Sequence, residues 1–226
     1  MKAQMVETYP SARAAGEACA RAIADRLREA LATHGRAGLV ATGGRSPGPV
    51  FDALRQAPDL DWSRVVVTLS DERCVDPAAP EANALAVRER LLVGPAARAH
   101  FLPLWPRPEP AALAALIPFD AVMLGMGEDG HIASLIPGDP GLEAGLSGEA
   151  LLVDVPAGLG RPPVPRVSLT LAALRDARAV FLVIAGEVKR EVLARAAAGE
   201  ADLPVGRLLA EAKGRVRVFW SPGHSA

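Results

Sequence analysis

Asp129 and His131 stand two residues apart in Gly125-Met126-Gly127-Glu128-Asp129-Gly130-His131, directly after the apolar run Phe119-Asp120-Ala121-Val122-Met123-Leu124. An imidazole, with an unperturbed pKa of about 6.5, accepts a proton near neutral pH. A carboxylate at this spacing can orient the ring or take a proton itself. Gly125, Gly127 and Gly130 permit positive φ and let a ligand approach the main chain closely. Acid–base chemistry is therefore expected beyond the carboxyl end of a strand, where open α/β sheets bind ligands. The same residues would also serve a plain turn with a capping Asp and a solvated His, so other loops must arbitrate.

Three other segments bear on that choice. Thr42-Gly43-Gly44-Arg45-Ser46-Pro47 follows an apolar strand and opens a helix. Its glycines free backbone N–H groups, Ser46 can cap or bond an oxyanion, and Pro47 suits a first turn, as in a helix terminus that receives a phosphate. It lacks the spacing of a Walker loop or a dinucleotide fingerprint, so no nucleotide is inferred. Asp71-Glu72-Arg73 follows a second strand and reads as a loop, either a solvated turn or a polar cluster facing Gly43-Gly44 and His131. Arg161-Pro162-Pro163-Val164-Pro165-Arg166 carries two guanidiniums on a stiff connection, with fork geometry suited to a phosphate or carboxylate. Lys189 falls in the first turn of an expected helix and can project to the same edge.

These loops need a frame, and the hydrophobic pattern supplies one. Helical periodicity runs from Ser11 to Leu31, Pro47 to Gln56, Glu81 to Leu92, Glu109 to Leu116, Glu187 to Ala197 and Val205 to Ala210. Short apolar runs that read as strands cover Ala37 to Thr42, Val65 to Leu69, Phe101 to Leu104, Phe119 to Leu124, Leu151 to Val155, Val180 to Ala185 and Val216 to Trp220. Near-continuous apolar strands alternating with helices predict an α/β fold, a doubly wound, mostly parallel sheet covered on both faces. Loops after its strands then gather at one edge.

Composition narrows the function classes. The 226 residues fit one domain with a sizeable core. A net charge of −1 offers no footprint for nucleic acid. No apolar run approaches the roughly 18 residues that span a bilayer, and no leader peptide is evident, so neither a membrane nor a nucleic-acid partner is expected. Cys19 and Cys74 are too few for a disulfide framework, which favours a cytoplasmic setting. His34, His100, His131 and His224 are scattered, so neither a metal nor another cofactor is expected.

Taken together, Gly43-Gly44-Arg45-Ser46-Pro47, Asp71-Glu72-Arg73-Cys74-Val75 with Asn83, Leu124 to His131, Ala133-Ser134-Leu135 and Arg166-Val167-Ser168-Leu169-Thr170 resemble the 6-phosphogluconolactonase family. The resemblance runs in order from about residue 10 to 220. It implies a single Rossmann-like domain of the sugar-phosphate isomerase type, acting as a monomer or homodimer on a sugar-phosphate lactone. The related glucosamine-6-phosphate isomerase/deaminases continue after Gly-His-Ile-Ala with Phe-Asn-Glu-Pro, whose Glu serves ring opening. Here Ser134-Leu135-Ile136-Pro137 stands instead, and Ile136 cannot exchange a proton. A non-catalytic sugar-phosphate effector is the other alternative. Three residues depart from the lactonase pattern: Arg45 for its usual Ser, Arg161 for a common Lys, and Ile132 for Thr. By resemblance His131 is the base, with Asp129 as its orienter and Arg73 or loop N–H groups stabilising an oxyanion. Gly43, Gly44, Arg45, Ser46, Asp71, Gly127, Gly130, Arg161, Arg166 and Lys189 would contact substrate.

Overall fold

A computed structural model describes residues 6–44, 47–200 and 202–223. Its first long helix, α1 (Ala12–His34), shows how local sequence sets an element. The Ser11 hydroxyl accepts from Ala14 N–H at the start, and Gly35 ends the helix in the left-handed region, φ 80°, its N–H bonded to Leu31 C=O. Between those caps Ala15, Cys19, Ile23, Leu27 and Ala30 recur at helical spacing and are buried. Gly16 brings α1 onto α2 (Gly48–Leu54), because a Cβ there would lie 2.5 Å from Pro49 Cβ.

Seven parallel strands make the main sheet, in the order β1-β10-β9-β6-β2-β3-β5. They are β1 (Val6–Thr8), β2 (Ala37–Ala41), β3 (Val65–Leu69), β5 (His100–Phe101), β6 (Ala121–Leu124), β9 (Val180–Ala185) and β10 (Val216–Ser221). β2 and β6 are buried throughout, as helices on both faces require. From β2 the chain steps outward through β3 to β5, then returns with β6 to the other flank of β2 and continues to β9 and β10. The strand order thus reverses between β2 and β6. In open α/β sheets, that switch point is where loops diverge and leave a crevice.

A second, three-stranded antiparallel sheet has the order β4-β8-β7, from β4 (Asp71–Arg73), β8 (Arg166–Leu169) and β7 (Leu152–Val155). This adds to the expected single sheet. Asp71-Glu72-Arg73 reads as a loop because its charges lack an apolar alternation, yet it pairs with β8, Asp71 opposite Ser168 and Arg73 opposite Arg166. Its side chains find fixed partners rather than a solvated turn: Ser134 for Asp71, the N–H groups of Asn83 and Ala84 for Glu72, and Glu81 C=O for Arg73. Two short helices, α5 (Leu142–Ser147) and α6 (Leu171–Arg175), carry too few turns to show in hydrophobic periodicity. The other helices are α3 (Asn83–Arg90), α4 (Pro110–Ala114), α7 (Glu187–Ala198) and α8 (Pro204–Glu211).

Candidate active site

The loop after β6 is folded around two of its ionisable side chains, Asp129 and His131. Gly127 N–H donates to His131 C=O at 2.9 Å and Gly130 N–H to Gly127 C=O at 3.2 Å, closing a tight turn. Within it, Asp129 Oδ1 lies 2.7 Å from His131 Nδ1 and also accepts from His131 N–H at 3.2 Å. The pair sits over Gly127, where any Cβ would come within 2.2 Å of His131 Nδ1 and 2.3 Å of Asp129 Oδ1. Gly130 takes φ +80°, and a Cβ there would meet Leu203 Cδ1 at 2.7 Å. Both glycines are thus demanded by geometry.

The electrostatics of the pair suit proton transfer. The hydrogen bond from His131 holds the Asp129 carboxyl below its ordinary range, overcoming partial burial, so it stays anionic at neutral pH. An anion on Nδ1 fixes the tautomer with its proton there and leaves Nε2 as the free acceptor. About a third of the His131 side chain and half of that of Asp129 remain exposed, so water reaches them.

Next to this turn lies a buried polar network that ties four segments together. Asp71 accepts from Ser70 Oγ at 2.8 Å and from Ser134 Oγ at 2.6 Å. Ser70 Oγ also bonds Thr42 Oγ1 at the end of β2, and Ser134 N–H donates to Ser168 Oγ at 3.1 Å. Arg166 reaches Ser134 Oγ with one terminal nitrogen at 3.3 Å and Pro162 C=O with the other at 3.0 Å. Its guanidinium is buried, its Nε has no hydrogen-bond partner among the described residues, and burial lowers its pKa. Ser134 enters the network because Ala133, φ 50°, turns the chain inward just after His131.

Glu72 is wholly buried and caps α3, accepting from the N–H groups of Arg73, Asn83 and Ala84, each at 2.7 Å. Burial pushes its carboxyl up despite those donors. Asn83 Nδ2 donates to Asp71 C=O at 2.8 Å, and its amide presses on Gly43, where a Cβ would fall 1.8 Å from Oδ1. The Gly43 backbone is thereby seated against the Asp71 strand.

The expected residues therefore divide. Gly43, Gly44, Asp71, Arg73, Gly127, Asp129, Gly130, His131 and Lys189 follow or lie near the carboxyl ends of β2, β3, β6 and β9. Arg166 joins them through Ser134 and Asp71. Arg73 is half-buried, with a terminal nitrogen bonded to Glu81 C=O. Arg161 is exposed on the loop that folds back over Arg166. Arg45 and Ser46 lie outside the described residues. The buried hydroxyls of Thr42, Ser70, Ser134 and Ser168 are absent from the sequence-based substrate and catalytic set. Their signal, a small hydroxyl inside or just after an apolar run, is common in strands for other reasons. Among the described residues no three or more His, Cys, Asp or Glu side chains gather as a metal site, and no helix is long and apolar enough to cross a membrane.

Known proteins are similar to this chain over nearly its whole length. A family model described as glucosamine-6-phosphate isomerases/6-phosphogluconolactonase matches residues 10–220. A 6-phosphogluconolactonase of Caulobacter vibrioides is 39% identical over 96% of this chain and 97% of its own length. One from Rhizobium meliloti is 39% identical over 94% of this chain and 96% of its own. A 6-phosphogluconolactonase structure from Shewanella baltica superposes with a TM-score of 0.84 at 34% identity, covering 97% of this chain and 98% of that one. With a family model matching residues 10–220 and relatives 39% identical over nearly the whole chain, the chain belongs to the glucosamine-6-phosphate isomerase/6-phosphogluconolactonase family.

Proposed function

We propose that this protein is an enzyme that hydrolyses 6-phospho-D-glucono-1,5-lactone to 6-phospho-D-gluconate, the second step of the oxidative pentose phosphate pathway. The observation that carries the reading is the 2.7 Å Asp129–His131 contact, held open to water at the switch-point crevice. Relatives named for this lactonase, at up to 39% identity, supply the substrate class.

A lactone is an activated ester, so catalysis needs a positioned water, a proton acceptor and stabilisation of an oxyanion. His131 Nε2 takes the water proton while hydroxide adds to the C1 carbonyl. Asp129 stabilises the imidazolium that forms. The carbonyl electrons move to oxygen, which Arg73 or N–H groups of the glycine-rich turns stabilise. On collapse the ring C–O bond breaks, and the imidazolium returns its proton to the leaving ring oxygen. Arg161, Arg166, Lys189 and the Gly43-Gly44 turn with Arg45 and Ser46 hold the phosphate. Asp71, whose carboxylate oxygens already accept two hydroxyls, shapes the floor of the site.

The test is direct. Lactone generated from glucose 6-phosphate is followed by NMR with purified protein, alongside its spontaneous hydrolysis. Acceleration to 6-phosphogluconate supports the reading. No acceleration, or release of ammonia from glucosamine 6-phosphate instead, overturns it. Ile136, an aliphatic residue where the deaminases carry a ring-opening Glu, favours hydrolysis over deamination.

A further inference from the structure

The opposite end of the sheet carries a second constellation. Where β2 and β6 begin, a cleft of about 640 Å³ lies between the C-terminus of α1, the segment 115–118 and the turn before β9. Small-molecule sites fall in this size range. Roughly 16 Å of strand, five residues of β2, separates it from the Gly43-Gly44 turn.

Asp120 stands in its wall and is 5% exposed. One carboxylate oxygen, Oδ2, accepts from Gly38 N–H at 2.9 Å, which fixes the side chain against β2. The other, Oδ1, has no hydrogen-bond partner among the described residues. Basic side chains ring that oxygen at ion-pair distances that fall short of hydrogen bonds: His34 Nε2 at 3.4 Å, Arg178 Nε at 3.4 Å and Arg26 at 3.7 Å. Arg36 also lines the cleft, while Leu116 and Ile117 give it an apolar side. Arg26 shares its charge with Glu29, but Arg36 and Arg178 still outnumber the single carboxylate, and His34 adds a ring nitrogen that can donate.

This pattern has two demands that the protein leaves unmet. A buried carboxylate oxygen without a donor calls for one, and a ligand hydroxyl can supply it. The excess of guanidinium forks calls for an oxyanion, which Arg binds in a planar, bidentate way. The apolar wall favours a ligand with a carbon skeleton over a bare ion.

We propose that this basal cleft is a second binding site, for a hydroxylated organic phosphate of small-molecule size. Arg178, Arg36 and His34 hold the phosphate, and Asp120 Oδ1 accepts from a hydroxyl. The site is separate from the Asp129–His131 crevice and does not depend on the lactonase reading.

The experiment titrates the intact protein with glycerol 3-phosphate, 3-phosphoglycerate and adenosine 5′-monophosphate, reading the imidazole NMR resonances of His34 and His131. Inorganic phosphate and glycerol are run in parallel. A saturable shift of the His34 resonance with at least one organic phosphate is expected, with inorganic phosphate binding at least tenfold more weakly. Arg178→Ala and Arg36→Ala, both at exposed positions, should each weaken the organic phosphate about tenfold while leaving lactone turnover unchanged. The proposal is overturned if no probe shifts His34 saturably, or if shifts fall on His131 alone. It is equally overturned if inorganic phosphate binds as tightly as every organic probe, or if both variants bind as wild type does.

Discussion

Asp129, in the turn after β6, and Asp71, at the start of β4, are carboxylates at the same sheet edge, and their surroundings differ in kind. Asp129 has half its side chain in solvent and one side-chain partner, His131. Asp71 is buried and its two oxygens take the hydroxyls of Ser70 and Ser134. A group that must exchange protons with a water needs access and an unspent acceptor nearby; a group that holds strands together needs burial and saturation. The first arrangement suits turnover and the second suits scaffolding. Substitutions at the two places should separate activity from stability.

The largest expected effect is on the open side. His131→Asn should lower kcat/KM for the lactone by roughly 10² to 10⁴, the usual worth of a positioned base, with little change in Tm. A melt and a lactone assay on the same sample check it, and wild-type activity in a folded variant would remove His131 from the chemistry. On the buried side, Glu72→Gln replaces an acceptor oxygen facing main-chain N–H groups by a donor. The urea midpoint should fall by an amount equivalent to about 1–3 kcal/mol at unchanged m. Loss of activity without that loss of stability would move Glu72 into the catalytic set.

At the rim, Arg161→Ala should raise KM for the phosphorylated lactone about tenfold and leave kcat nearly unchanged. A phosphate contact remote from the carbonyl contributes alike to ground and transition states. Glucono-1,5-lactone, which lacks the phosphate, should be hydrolysed equally by both proteins. Equal weakening of both substrates would mean that Arg161 acts through the loop it shares with Arg166. The smallest effect concerns acid. Because His131 holds Asp129 below its ordinary 3.8, the pair's contribution to stability is complete above that value and is lost as pH falls through the lower folded value. Urea midpoints for Asp129→Asn should therefore trail wild type at pH 6 and converge with it as pH falls below the ordinary 3.8. A constant gap would show that the pair is not the titrating element.

The middle of the main sheet was legible because β2, β3, β6 and β9 are near-continuous apolar runs, and Val65–Leu69 and Val180–Ala185 occur at the boundaries the pattern predicts. The edge strand Val6–Thr8 carries no such run, and β5 begins one residue early, at His100. The glycine-rich turn was legible because three glycines and an ionisable pair directly after a strand are a local statement. Short charged or Pro-flanked segments were not: β4 forms only by pairing with β8, and β8 by pairing with β4 and β7, which no local periodicity records.

The sequence by itself determined the α/β class, the order of the parallel strands' segments along the chain and the Asp129–His131 turn, since each depends on residues within a few positions of one another. Tertiary structure alone decided that Asp71, Ser134, Ser168 and Arg166 meet, up to about a hundred residues apart. It also decided that Asn83 fills the space over Gly43 and that Asp120 is drawn against Gly38 at the far end of the sheet. The physical reason is that burial, not residue type, turns a surface-like Asp or Arg into a fixed strut, and burial is a property of the assembled layers.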